Sequence, residues 1–360
     1  MLTPGVKKFG KRVLQIGLPV VVLALFVYQV KKNWAELTAQ TFQWNPWLLA
    51  LAFLGFMLQE LSYGLIWRAV LARLGSHLSL RACLRIYLAS EFVRYIPGNV
   101  WHVLTRILWV GKYGVSRPVA FTSMAIELIT KLAAGLLVFS VSLLFWRDYG
   151  AIGSLLHGPL VDILGVASIL ALLIGLHPRV LHGMLNWLLR TLKRDPVQLT
   201  LRYSDILLIT LAWCASWFVA GCAFYVLLLA LRPDAPLVAL PICIGIYAFA
   251  WDIGFVSFIT PSGLGVREAA IVGLFALALP LPAGLATVMA LLSRFVTTIA
   301  EVVCVSMAYL SGGKQALSIQ QDAQARALLK ENTNGKSPEL KNPTGELSES
   351  VPVEGGVMGE

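Results

Sequence analysis

The sequence predicts an all-α fold: a polytopic membrane helix bundle of about seven to eight spans, with two broken segments in a weak internal repeat. Of the 360 residues, 58% are hydrophobic and only 13% are charged. Soluble domains have about 45–50% apolar and about 25% charged residues. The apolar stretches also run without the alternation of a β-barrel strand, and only helices or closed barrels cross a bilayer. Composition therefore excludes a soluble enzyme, a disordered chain and a disulfide scaffold.

Seven apolar stretches have about the length that crosses a bilayer, which is roughly 20 residues. They are 13–30, 46–67, 119–146, 160–176, 205–231, 236–259 and 283–310. The first is long for a signal peptide and predicts a retained helix. Residues 313–360 are polar and nearly without aromatic residues, which is typical of a disordered tail. We therefore predict a transmembrane domain over 1–312 and a tail over 313–360.

The distribution of basic residues predicts the orientation. With a cytoplasmic N-terminus, the stretches 1–12, 68–85, 94–117 and 179–202 hold 17 Lys and Arg, whereas the opposite loops hold 4. Cytoplasmic loops carry such an excess, so the net charge of +10 indicates membrane topology rather than nucleic-acid binding. In residues 179–194, apolar residues recur at helical spacing on one face and basic residues lie on the other face. This pattern predicts an interfacial helix.

Two regions do not form simple spans. Residues 80–117 are polar for a membrane helix and contain Pro97-Gly98-Asn99; residues 260–279 begin with Thr260-Pro261-Ser262-Gly263-Leu264-Gly265 and continue as a short apolar helix, Val266–Leu279. A bilayer tolerates interrupted helices only where they are buried in protein or line a watery cavity. Both regions share a layout of break, short helix and long span, which predicts the repeat and is common in transporters.

Ionisable residues occur at or near membrane depth. They are Glu60, Glu91, Arg94, Arg106, Glu127, Lys131, Asp252, Arg267, Glu268, Arg294 and Glu301. Facing lipid, each would cost about 2.5–3.5 kcal/mol, and their sum of ~30 kcal/mol exceeds the ~5–15 kcal/mol stability of a folded protein. They must face one another or water. Helical spacing predicts the pairs Glu127–Lys131 and Arg294–Glu301. Structural salt bridges and a groove for a polar headgroup both remain open.

The turn before Val266 is the clearest local signal. Its glycines allow a close backbone approach, the following helix directs free N–H groups at the turn, and Arg267 suits bidentate phosphate contact. Pro97-Gly98-Asn99 with Arg94 and Arg106 offers a similar arrangement. The alternative is that proline and glycine only break a helix.

Sequence motifs of catalysis are absent. The chain has no D-x-D, H-E-x-x-H, P-loop or G-x-S-x-G motif, and its five histidines and five cysteines are scattered. We therefore expect no metal, no cofactor and no catalytic residue, and we expect that the protein is not an enzyme.

Two motifs resemble the lysylphosphatidylglycerol synthase transmembrane (flippase-like) family. The first is Tyr95-Ile96-Pro97-Gly98 with Arg106, Gly114-Val115-Ser116, Ala120 and Glu127, although Asn99-Val100-Trp101 departs from the commoner pattern. The second is Pro261, Gly263, Gly265 and Glu268, followed by Arg294. The resemblance implies a multi-pass protein of the bacterial inner membrane that handles lipids, without the soluble synthetase domain of the two-domain members.

Residues and resemblance together predict a flippase that moves a polar-headgroup lipid, of the aminoacyl-phospholipid, glycolipid or polyprenyl-linked type, between leaflets. The predicted partners are membrane lipids and lipid-biosynthetic enzymes, not nucleic acid. In this hypothesis the arginines hold phosphate and the glutamates hold cationic or hydroxyl groups. The candidate substrate-binding residues are Arg94, Pro97, Gly98, Arg106, Glu127, Lys131, Asp252, Pro261, Gly263, Gly265, Arg267, Glu268, Arg294 and Glu301. A membrane-embedded transferase and a non-transporting scaffold are the alternatives.

Overall fold

The computed structural model describes residues 42–91, 93, 101–146, 159–191, 201–257, 261–279 and 283–310. All of them belong to the first of two units, residues 1–311. Helix accounts for 86% and no strand occurs within these ranges, which confirms the all-α prediction. The predicted first span, the motif residues Arg94, Pro97 and Gly98, and the predicted tail lie outside the described residues.

The described helices follow one another in a single series. They are α1 (Pro46–Arg73), α2 (Leu80–Glu91), α3 (Trp101–Gly111), α4 (Arg117–Ser142), α5 (Pro159–Gly175), α6 (Pro178–Thr191), α7 (Tyr203–Leu231), α8 (Ala239–Val256), α9 (Val266–Ala278) and α10 (Ala283–Leu310), with 3₁₀ turns at Leu143–Phe145 and Pro261–Gly263.

Five of these helices are long and apolar enough to cross a membrane: α1, α4 with its 3₁₀ extension, α7, α8 and α10. Each coincides with a predicted span. Helix α5, with 17 residues, forms where a span was predicted and lies at the short end of the lengths that cross a bilayer. The structure therefore supports a multi-pass bundle, and the total of seven to eight spans stays a prediction.

Local sequence explains where several helices begin. The Asn45 side chain accepts hydrogen bonds from the backbone N–H groups of Trp47 and Leu48, at 3.1 and 3.3 Å, and Pro46 occupies the first turn of α1. Helix α6 coincides with most of the predicted interfacial helix. Arg190 lies in its last turn, where a cation interacts favourably with the helix dipole.

Helix α7 lies at the centre of the bundle and packs against α1, α4 and α8. Small residues permit the closest approaches: a Cβ at Gly221 would overlap the backbone and side chain of Ile244 on α8. Such small-residue contacts are typical of membrane helices, where lipid supplies no hydrophobic drive for association. Helix α10 packs against α1, α2 and α9. It therefore joins the C-terminal helices to the N-terminal ones.

The second predicted interruption is present. The first, at Pro97-Gly98-Asn99, lies outside the described residues, between α2, which ends at Glu91, and α3, which begins at Trp101. The second is the 3₁₀ turn Pro261–Gly263, after which α9 runs for 13 residues and ends one residue before its predicted end. In each half of the predicted repeat a short helix, α3 or α9, is followed by a long span, α4 or α10, which is the order that the repeat requires.

Candidate functional site

A cavity of about 230 Å³ lies where the two interrupted segments meet. Its walls come from α2, α3, α4, α8, the turn Pro261–Gly263, α9 and α10. Of the predicted site residues that the structure describes, four line it: Glu127, Lys131, Arg267 and Arg294. The two sequence motifs, more than 100 residues apart in the chain, therefore contribute to one space.

Arg106 organises one wall of this cavity. Its Nη1 donates to Glu127 Oε2 at 2.7 Å, its Nη2 to Glu91 Oε1 at 2.5 Å, and its Nε to Ser90 Oγ at 2.9 Å. The guanidinium also lies 3.7 Å from the centre of the Tyr87 ring. Tyr87 donates its hydroxyl to the second oxygen of Glu127 at 2.6 Å. We call Arg106, Ser90, Glu91, Glu127 and Tyr87 the Arg106 cluster.

The Arg106 cluster ties three helices together in the protein interior. Arg106 comes from α3, its partners come from α2 and α4, and only 1% of the arginine is exposed. A buried ion pair is tolerated when hydrogen bonds satisfy both charges. Because all three kinds of guanidinium nitrogen already donate within the cluster, this geometry favours a positioning role for Arg106. Direct phosphate contact by Arg106 stays a prediction.

A second arrangement surrounds Lys131, one helical turn after Glu127. Its ammonium lies 3.7 Å from the centre of the Tyr63 ring, 4.1 Å from Trp251, 4.9 Å from Trp213 and 5.9 Å from Trp217. We call these four rings the aromatic box. Aromatic faces attract cations, and the attraction strengthens where water is excluded. Lys131 is only 3% exposed, so the box stabilises a charge near the middle of α4.

Asp252 supplies the nearby negative charge. Lys131 attracts it electrostatically, and among the described residues neither carboxylate oxygen has a hydrogen-bond partner. The carboxylate lies against Gly135, where an added Cβ would overlap it. The absence of a side chain at Gly135 thus makes room for a buried acid on α8.

The turn before α9 has the strained geometry that its glycines predict. Ser262, Gly263 and Gly265 all have positive φ angles, at 54°, 66° and 84°. A Cβ at Gly263 would lie 2.6 Å from the carbonyl oxygen of Gly254, so the turn packs directly on the α8 backbone. Residues with a side chain, such as Ser262, rarely adopt positive φ values. Residues that do so are often found at functional sites.

Glu268 and Arg294 hold this turn in place. Glu268 accepts a hydrogen bond from the backbone N–H of Gly265 at 2.6 Å, and its other oxygen lies 3.7 Å from Arg294 Nη1. Arg294 also donates to the carbonyl oxygen of Ser262 at 3.0 Å. Spacing predicts Glu301 as a partner of Arg294, and that pair stays a prediction. The structure places Glu268, which comes from a different helix, beside the Arg294 guanidinium.

Arg267 lies between this turn and the cavity. Its guanidinium carbon is 4.7 Å from the centre of the Tyr247 ring, and only 7% of the residue is exposed. Within the described residues, its Nη2 has no hydrogen-bond partner. A buried donor without a partner is costly unless a ligand or water satisfies it. Together with the N-terminus of α9, this donor makes a suitable place for an anion.

The family model for the lysylphosphatidylglycerol synthase TM region matches residues 13–304. The chain belongs to this family. The matched range includes every residue that lines the cavity and every member of the Arg106 cluster and the aromatic box. Family membership and the five span-length helices together identify a multi-pass membrane protein. No curated protein matches the chain.

The other predicted site residues that the structure describes lie beside the cavity or away from it. Asp252 and Glu268 lie next to Lys131 and Arg294, which line the cavity. Pro261 begins the 3₁₀ turn. Glu301 is buried on α10, where its charge and that of Glu60 both act on Cys304. In the part of the chain that the structure describes, no three His, Cys, Asp or Glu residues are arranged to hold a metal ion.

Sequence reasoning missed the aromatic box. Its residues come from α1, α7 and α8, and no motif joins them. One signal was available: Trp213 and Trp217 are four residues apart and therefore share one face of α7. That spacing does not distinguish a cation site from an ordinary apolar helix face, because tryptophan packs well in a core with or without a cation.

Proposed function

We propose that this protein is a lipid flippase or translocase. In this proposal the polar headgroup of a lipid enters the cavity between the two interrupted segments while its acyl chains remain in the bilayer. The observation that carries the proposal is the convergence of Lys131, Arg267 and Arg294 on one buried space. Intramembrane ionisable residues are expensive to bury and commonly mark substrate pathways.

The size of the cavity supports a headgroup rather than a whole lipid. Its volume of about 230 Å³ lies below the roughly 300–1,000 Å³ of sites that enclose drug-sized ligands. Acyl chains need no protein cavity, because the bilayer already solvates them. The proposed activity is transport without covalent chemistry.

The phosphate of the headgroup would bind at the start of α9. Arg267 offers an Nη2 donor that has no partner among the described residues, and Arg294 and the α9 N-terminus add positive charge beside it. Glu268 would keep Arg294 oriented. Translocation would follow from rocking of one interrupted segment and its span against the other, as in transporters built from repeats.

A leaflet assay tests this function. The purified chain is reconstituted in liposomes with a fluorescent phospholipid, and a membrane-impermeant quencher reports transfer between leaflets. We expect Arg267→Gln to slow transfer roughly tenfold or more, because a hydrogen bond with a charged partner contributes about 1.5–3 kcal/mol. Arg232→Gln is the matched control, since Arg232 lies on the surface in an ion pair with Asp234. An unchanged rate in Arg267→Gln would remove the proposed phosphate site.

The cellular setting is part of the proposal. The excess of Lys and Arg in alternate loops supports a cytoplasmic N-terminus, and the family supports the bacterial inner membrane. Enzymes that make the transported lipid are the proposed protein partners. Fusion of a reporter that is active only in the cytoplasm to the N-terminus tests the orientation, and reporter inactivity would contradict it.

A further inference from the structure

We infer that Lys131 determines headgroup specificity: its tethered ammonium fills the aromatic box, so the cavity selects a phosphorylated lipid headgroup that carries no ammonium group. This inference rests on the proposed function, because it concerns the headgroup that enters the same cavity. It adds a substrate class and assigns a specificity role to four aromatic residues.

The aromatic box has the composition of a cation-binding site. Boxes of Trp and Tyr recognise ammonium ligands through the negative faces of their rings. Here the nearest rings, Tyr63 and Trp251, lie 3.7 and 4.1 Å from the Lys131 ammonium. Trp251 and Lys131 both line the cavity. A headgroup in the cavity would therefore meet a box that the protein already occupies.

The acids that line the described cavity wall are also engaged. Glu91 and Glu127 line the cavity, and each accepts a hydrogen bond from Arg106 at 2.7 Å or less. Glu268 binds the backbone N–H of Gly265 and lies beside Arg294. A headgroup ammonium would have to break one of these contacts or displace Lys131, whereas a phosphate would only fill positions that favour an anion.

The described wall of the cavity carries three cationic groups. Arg267 contributes its Nη2 donor, which has no partner in the described part of the chain. Arg294 and Lys131 add two further charges on the cavity wall. An anionic headgroup with hydroxyl groups meets complementary donors here. On the described cavity wall, the positive charge of a zwitterionic headgroup meets only like charges and engaged acids.

Truncation of Lys131 would convert the box into an open ammonium site. Lys131→Ala removes the side chain beyond Cβ and leaves four aromatic faces beside Asp252, whose oxygens lack hydrogen-bond partners among the described residues. The truncation removes three CH₂ groups and the ammonium, one heavy atom fewer than tetramethylammonium contains. Lys131→Met is the matched control, because it removes the charge but keeps the box filled.

The first experiment measures thermal stabilisation of the purified full-length chain by tetramethylammonium chloride, against sodium chloride at equal ionic strength. We expect stabilisation of Lys131→Ala, no stabilisation of wild type or Lys131→Met, and loss of the effect in Lys131→Ala/Trp251→Leu. Equal stabilisation of wild type and Lys131→Ala would overturn the inference. So would a folded Lys131→Ala variant that does not respond.

The second experiment compares headgroups with the wild-type protein, so it does not depend on the folding of any variant. In the leaflet assay we expect phosphatidylglycerol to move about tenfold faster than phosphatidylcholine or phosphatidylethanolamine, which corresponds to about 1.4 kcal/mol in the barrier. Equal rates for the three lipids would overturn the inference and leave the proposed function intact. If none of the three lipids moved between leaflets, the proposed function would be contradicted. The tetramethylammonium experiment would then test only whether Lys131 fills an ammonium-binding aromatic box.

Discussion

Replacement of Arg106 by methionine should destabilise the protein strongly, because two acids would lose their common partner. Glu91 and Glu127 are each 5% exposed, and Arg106 donates to both and to Ser90. Hydrogen bonds to charged groups contribute about 1.5–3 kcal/mol each, which sets an upper bound for the three. Removal of one member of a buried ion pair typically costs about 3–5 kcal/mol. We expect Arg106→Met to lower the free energy of unfolding by about that amount.

Equilibrium unfolding in mixed detergent micelles measures this change. Arg73→Met is the matched control, because the ion pair of Arg73 with Asp205 has side chains that are 32% and 29% exposed. Such partly solvated pairs contribute about 0–1 kcal/mol. The triple variant Arg106→Met/Glu91→Gln/Glu127→Gln should recover most of the loss, since it leaves no uncompensated charge. The reasoning is refuted if Arg106→Met costs no more than Arg73→Met.

Glycine substitutions give three further predictions, each checked by thermal unfolding in detergent. Gly135→Ala should destabilise the protein by about 1–3 kcal/mol, the usual cost of overpacking, because the new Cβ overlaps Asp252; wild-type stability would contradict the close packing. Gly183→Ala should be neutral or stabilising by up to about 1 kcal/mol, because open space surrounds this helical position; a clear loss would contradict its exposure. Gly263→Ala should cost at least about 1 kcal/mol, because φ is 66° and the Cβ would meet the Gly254 carbonyl; no loss would show that the turn relaxes.

Local sequence was sufficient to predict the elements of the fold. Long apolar runs predicted α1, α4, α7, α8 and α10 because the bilayer fixes the length of a span. Proline and glycine predicted the break before α9, since proline lacks the N–H that a helix interior needs and glycine readily adopts positive φ angles. The apolar run at 160–176 likewise predicted α5, whose 17 residues lie at the short end of the lengths that cross a bilayer.

The contacts within the site were beyond local sequence. Helical spacing predicts neighbours on one helix, such as Glu127 with Lys131 and Arg294 with Glu301. The structure adds contacts between helices, Arg106 of α3 against Glu127 and Glu268 of α9 beside Arg294. These contacts depend on how separate helices pack, and one sequence carries no direct record of that packing. The same reason explains why four aromatic residues from three helices were not recognised as one box.

Photo-cross-linking tests most directly whether the cavity admits a lipid headgroup. The photoreactive amino acid p-benzoyl-phenylalanine replaces Phe121, which lines the cavity, or Phe218, which is 55% exposed on α7. Liposomes contain phosphatidylglycerol with a tritium label in either the headgroup or the acyl chain, and the cross-linked peptide is digested with phospholipase D to show which part is attached. We predict attachment through the headgroup at position 121 and through the acyl chain at position 218. Attachment at position 121 only through acyl chains, or no lipid attachment there, would contradict a headgroup site between the two interrupted segments.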